Sequence, residues 1–126
     1  MVGLIIVGHG DFPRVLVNSA EEILGPIERL KVVSFYSEGS KNSCRIDLRR
    51  AIKNLESPEG ILLLVDMFGG TPCNVSVSLQ KAFHLKIITG LNLPMLLEAV
   101  LHRGKEVGKL TKIVKESAIK SIVETW

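Results

Sequence analysis

The sequence predicts an α/β fold, an open doubly wound sheet of four parallel strands in the order 2-1-3-4 with helices on both faces. Three observations carry this. The apolar runs at residues 2–7 and 61–65 contain no polar side chain, the pattern of strands covered on both faces and therefore of a parallel sheet. Each strand-like run is followed by a turn and then by a segment with helical spacing, so strands and helices alternate. Right-handed crossovers leave few strand orders, and 2-1-3-4 is the common one at this length.

The elements follow in order. Residues 2–7 form the first strand, and His9-Gly10-Asp11 is its turn. Phe12-Pro13 opens a helix, with Asp11 as N-cap and Pro13 in the first turn, where its missing N–H costs nothing. Val15, Leu16, Ala20, Ile23 and Leu24 set its apolar spacing, and Gly25-Pro26 stops it. Residues 30–36 are a second strand whose polar flanks place it toward an edge. Residues 41–55 are a helix with Cys44, Leu48, Ala51, Ile52 and Leu55 on one face, closed by Ser57-Pro58-Glu59-Gly60.

Residues 61–65 are the third strand. Thr71 is the expected N-cap and Pro72 the first residue of the next helix, which reaches Phe83 and turns Val75, Leu79, Ala82 and Phe83 inward. Residues 84–89 are strand four. Pro94 opens a helix carrying Leu96, Leu97, Val100 and Leu101, and Gly104 ends it. Residues 107–117 form an amphipathic helix with Leu110, Ile113 and Val114. Residues 118–124 then predict a strand. With no room for a crossover it is antiparallel, at an edge of its own sheet or of a partner's.

The 126 residues are expected to form one domain, 1–126, with no repeat, linker or low-complexity segment. Sixteen basic and thirteen acidic residues give a net charge of +3. That is too mild, with too few interleaved aromatics, for a nucleic-acid surface. No apolar run approaches the ~18 residues of a membrane span, and no leader pattern opens the chain, so a cytoplasmic protein is expected. Cys44 and Cys73 fall in different elements and are expected to be reduced and unpaired.

The 2-1-3-4 order reverses its winding between strands 1 and 3, and open α/β sheets bind ligands outside the carboxyl ends of the strands at that point. His9 follows strand 1 and Asp66 ends strand 3, so the topology makes neighbours of residues 57 apart. A neutral imidazole is a nucleophile near neutral pH, and a carboxylate on one ring nitrogen fixes the tautomer that leaves the other free. Gly10, Gly69 and Gly70 keep the surroundings open. The helix N-termini after Gly10 and Thr71 offer N–H groups to phosphate oxygens, and the Thr71 hydroxyl adds a donor. His9 is thus the candidate phosphoryl carrier, and Asp66 the group that orients it. His84 starts a strand at the opposite edge, and His102 sits near a helix C-terminus. The histidines and acids lack metal-ligand spacing, so no metal is expected, and no cofactor.

Gly8-His9-Gly10, the run Val65-Asp66-Met67-Phe68-Gly69-Gly70-Thr71-Pro72-Cys73-Asn74, and Gly90-Leu91-Asn92-Leu93-Pro94-Met95-Leu96-Leu97-Glu98 together resemble the mannose-family enzyme IIA of the bacterial phosphoenolpyruvate:sugar phosphotransferase system. The resemblance implies that His9 takes a phosphoryl group from the phosphocarrier HPr and gives it to enzyme IIB. It implies that Asp66 orients His9 and that Thr71 lies near the phosphate. It further implies a cytoplasmic homodimer that exchanges a C-terminal strand, matched here by residues 119–124. IIB is expected as a separate chain, and membrane subunits IIC and IID as indirect partners. The phosphotransfer subunit of dihydroxyacetone kinase and a regulatory domain phosphorylated on His remain alternatives. A response-regulator receiver lacks its acidic pair here, a phosphohistidine phosphatase its Arg-His-Gly, and a P-loop enzyme its Gly-Lys-[Ser/Thr].

Overall fold

The computed structural model describes residues 1–126. Nine elements alternate along the chain: β1 (Gly3–His9), α1 (Phe12–Leu24), β2 (Leu30–Phe35), α2 (Lys41–Leu55), β3 (Ile61–Val65), α3 (Gly70–Leu79), β4 (Leu85–Thr89), α4 (Leu93–His102) and α5 (Val107–Lys120). The four strands form one parallel sheet in the order β2-β1-β3-β4, as the alternation of apolar runs and helices requires.

Side chains alternate across a strand, and here both faces are covered. Leu4 and Ile6 of β1 and Leu62 and Leu64 of β3 point to one face, under α1, α4 and α5. Ile5, Val7, Leu63 and Val65 point to the other, under α2 and α3. All eight are fully buried. At roughly 1.5–3 kcal/mol for each buried aliphatic side chain, these central strands are the main source of stability. The register sets Val7 beside Val65 and His9 beside Phe35, which fixes what meets at the carboxyl rim.

The opposite rim is fastened by a buried arginine. Arg103, just after α4, donates from Nε and Nη2 to the Val2 carbonyl at 3.0 and 2.8 Å and from Nη2 to the Arg29 carbonyl at 2.7 Å. It also reaches the Glu28 carbonyl. Burial pulls its pKa down to about 10, which leaves it charged at neutral pH, so each bond to a carbonyl is charge-assisted. One side chain thereby ties the start of β1 to the loop before β2.

Several details differ from expectation. No C-terminal strand joins the chain's own sheet: α5 continues through Lys120, and residues 121–126 belong to no helix or strand. Ala118 extends the Leu110–Val114 stripe at four-residue spacing and is buried with it, so packing holds a β-branched segment in the helix. The helix α3 starts at Gly70 with Gly69 as N-cap, not at Pro72 behind Thr71, and ends at Leu79; Ala82 lies outside it, exposed. In α1 the buried stripe is Pro13, Val17 and Ala20, while Val15 and Ile23 face solvent. In α4 it is Met95, Leu96 and Ala99, with Leu101 exposed. Cys44 and Cys73 are free and buried, on α2 and α3.

Candidate active site at the carboxyl rim

His9 is the last residue of β1, and Asp66 directly follows β3. The parallel ladder continues one step beyond Val65, where the Asp66 N–H donates to the Val7 carbonyl at 3.0 Å. That step carries the carboxylate under the imidazole. Asp66 Oδ2 accepts the His9 backbone N–H at 2.9 Å and lies 2.7 Å from His9 Nδ1. Asp66 Oδ1 accepts the Met67 N–H at 2.8 Å. A carboxylate that takes two backbone donors is an acceptor toward the ring as well. In the neutral imidazole this contact places the proton on Nδ1 and leaves the lone pair on Nε2.

Two neighbours make this approach possible. A Cβ on Gly8 would stand 3.0 Å from Asp66 Cβ, Cγ and Oδ2, so a glycine is needed where the carboxylate passes the strand. On its other side the imidazole meets the Phe35 ring edge-on, with centroids 6.1 Å apart and planes at 88°. The ring is thus held by Asp66 and braced by Phe35, yet its side chain is 45 % exposed, against 13 % for Asp66.

The loop beyond Asp66 passes in front of the ring. Gly69 and Gly70 both have positive φ, 87° and 79°, a region costly for any residue with a Cβ. A Cβ on Gly70 would lie 3.4 Å from His9 Cε1 and 3.5 Å from Nε2, so any side chain here would stand in contact with that nitrogen. The N–H groups of Phe68, Gly69, Gly70 and Thr71 meet no acceptor in any loop, turn or cap, at the start of a helix whose dipole favours an anion.

The candidate residues are placed unequally. His9, Asp66 and Gly70 come together, with Gly69 completing the loop. Gly10 lies in the turn, but its N–H already donates to the Phe35 carbonyl at 2.8 Å, so it shapes the turn and donates to nothing else. Thr71 is half-buried at the second position of α3, and its hydroxyl makes no hydrogen bond within the chain. His84 faces Glu106 at 3.5 Å, and His102, the last residue of α4, faces Glu98 at 3.0 Å. Neither reaches the site. No group of three or more His, Cys, Asp or Glu side chains is arranged to hold a metal ion.

Gly8 and Phe35 had no role assigned from the sequence. The register of β1 against β2 was the signal for Phe35, since it ends its strand level with His9. A further pair borders the site: Tyr36 donates its hydroxyl to Asp11 Oδ1 at 2.6 Å. Phe12, three residues after His9, and Met67 and Phe68, directly after Asp66, are exposed apolar side chains, the last by 82 %.

Comparison with known proteins points to one family. The family model EIIA-man, described as PTS system fructose IIA component, matches residues 3–117. The PTS system fructose-specific EIIA component of Bacillus subtilis is 36 % identical over 101 residues, covering 79 % of this chain and 69 % of that protein. The mannose-specific EIIAB component of Escherichia coli is 29 % identical over 107 residues, 83 % of this chain but only 33 % of that longer protein. Among solved structures, a phosphotransferase system component EIIA from Streptococcus agalactiae superposes with a TM-score of 0.92 at 38 % identity, covering 98 % of this chain and 97 % of that one. A mannose/sorbose-specific IIA subunit from Enterococcus faecalis has a TM-score of 0.92 at 25 % identity, covering 99 % and 95 %. The motifs, the strand order and the match over residues 3–117 lead to one conclusion: the chain belongs to the mannose-type EIIA family and is an EIIA component of the sugar phosphotransferase system.

Proposed function

We propose that His9 is the phosphoryl carrier, receiving phosphate from phospho-HPr and passing it to an enzyme IIB. The observation that carries this reading is the single oxygen, Asp66 Oδ2, that holds both the His9 N–H and Nδ1 and so directs Nε2 outward. The Nε2 lone pair attacks the phosphorus. The P–N bond to the donor's histidine breaks, and its electron pair returns to the donor ring. Nδ1 keeps its proton, and the positive charge that spreads over the phosphorylated ring is met by the Asp66 carboxylate. Transfer to IIB repeats the exchange with His9 as the leaving group.

The N–H groups at Gly69, Gly70 and Thr71 suit the three equatorial oxygens, and the α3 dipole adds to them. Thr71 Oγ1 is a further donor there. Asp66, bonded on both oxygens, orients the ring and does not touch the phosphate. The apolar rim of Phe12, Met67 and Phe68 suits docking of two successive protein partners over one exposed imidazole.

The same reading includes a cytoplasmic homodimer. The outer edge of β4 has no neighbouring strand. Beside it lies a groove of about 480 Å³, lined among others by Ile87, Thr89, Met95 and Ile119. Ile122 lines the same groove, and Val123 and Trp126 farther along the tail are exposed, so the tail of a second copy has both an edge to pair with and an apolar floor. No helix is long and apolar enough to cross a membrane.

Incubation with labelled phosphoenolpyruvate, enzyme I and HPr tests the carrier role. Acid-labile, alkali-stable label on His9, abolished by His9→Ala, is the expected result. Label on Asp66, or none, rules the reading out. Light scattering tests the dimer, and a monomeric mass removes that part alone.

A further inference from the structure

Asp11 stands two residues after His9, in the N-cap position of α1, and yet does not cap. The side-chain caps elsewhere have extended backbones: Ser40 at ψ 155°, Asn92 at ψ 170° and Glu106 at ψ 148°, each accepting a backbone N–H of its own helix. Asp11 has φ −82° and ψ −6° and no cap bond. Its carboxylate turns instead to the Tyr36 hydroxyl, 2.6 Å away across the end of β2. With this helical backbone, and with Pro13 offering no N–H in the first turn, the Asp11 carboxylate is not placed to cap α1. A carboxylate that caps nothing thus stands at the start of α1, two residues after His9. Tyr36 is 45 % exposed, so water alone would satisfy its hydroxyl, and burial gives no reason for the pair.

We infer that Tyr36 is a positioning residue for the phosphoryl site: its hydroxyl holds the Asp11 carboxylate aside, keeping a negative charge away from where the dianionic phosphoryl group arrives at His9. This rests on His9 as the carrier. Without the phenol, the Asp11 side chain is free to rotate on its fixed backbone, and its charge repels the incoming oxygens. The neighbouring bond from the Gly10 N–H to the Phe35 carbonyl fixes the turn independently, so loss of the phenol releases the carboxylate without releasing His9. The hydrogen bond to Asp11, then burial and the charge of the same carboxylate, push the Tyr36 phenol above its ordinary range.

The test compares wild type, Tyr36→Phe, Asp11→Asn and the double variant for the rate of His9 phosphorylation. Two donors are used: phospho-HPr, and phosphoramidate, which needs no docking surface. Tyr36→Phe is expected to be slower by about threefold or more with both donors, the scale of one unscreened charge nearby. The double variant is expected to return to the wild-type rate, and Asp11→Asn alone to be no slower than wild type. Tyr36 is the only tyrosine, so its ultraviolet titration reads the pair directly, and Asp11→Asn should lower the midpoint. A double variant as slow as Tyr36→Phe, a Tyr36→Phe rate equal to wild type, or an unmoved midpoint overturns the inference. Absence of label on wild-type His9 overturns the carrier reading and this inference together, whereas normal wild-type labelling separates the two.

Discussion

A single carboxylate oxygen, Asp66 Oδ2, binds His9 twice, accepting its backbone N–H at 2.9 Å and standing 2.7 Å from Nδ1. Main chain and ring are therefore set by one atom, and the ring cannot turn over without breaking the shorter contact. Asp66→Asn keeps the shape but offers an amide N–H to one of these donors. Phosphoryl transfer through His9 is expected to fall by about 10²-fold or more, the usual scale for losing a partner that fixes the tautomer. Unfolding in urea should show a cost of about 1–3 kcal/mol from unpaired donors. A variant with full transfer rate would remove Asp66 from the orienting role.

Gly70→Ala makes a separate prediction. Its Cβ would sit 3.5 Å from His9 Nε2 on a backbone at φ 79°. The strain should lower stability by about 1–2 kcal/mol, and the methyl should slow labelling from phosphoramidate as much as from phospho-HPr, because it obstructs the nitrogen itself. Single-turnover kinetics with both donors, alongside thermal melts, measure the two effects. Labelling at the wild-type rate would show that attack does not come from that side of the ring.

Phe68→Ala should do the opposite. The side chain is 82 % exposed, so stability should stay within about 0.5 kcal/mol of wild type. If the ring anchors a partner, KM for phospho-HPr rises about tenfold, as for an aromatic interface residue, while the phosphoramidate reaction is unchanged. An unaltered KM for both HPr and IIB would take Phe68 out of the interface.

Cys44 offers a fourth check. Burial pushes its thiol above the ordinary range, and the less thiolate a cysteine carries, the slower it reacts. In the folded protein a disulfide reagent should modify Cys44 and buried Cys73 far more slowly than in urea. Stoichiometric reaction within seconds at neutral pH would show that α2 and α3 open readily.

The architecture was legible because its signals are local and repeated. Unbroken apolar stretches at Leu4–Val7 and Ile61–Val65 cannot face water, and Gly25-Pro26 and Ser57-Pro58 break helices wherever they fall. Strand order followed from handedness, and with it the meeting of His9 and Asp66. What stayed hidden depends on packing across elements. Ala118 is weak evidence for a helix until Leu110 and Val114 are seen buried beneath the same layer. Thr71-Pro72 reads as a helix start, but the paired left-handed glycines begin the helix earlier. The Gly8 contact with Asp66 and the Tyr36–Asp11 bond join residues 58 and 25 positions apart, and no periodicity announces such pairs.

Arg103 gathers the carbonyls of Val2, Glu28 and Arg29 at the opposite end of β1 from His9. One end of the sheet is thus tied by a buried cation, and the other displays the imidazole proposed to carry phosphate. Exposed side chains such as Phe68 can consequently be exchanged, by evolution or by an engineer seeking new docking specificity, while the Arg103 knot stays untouched.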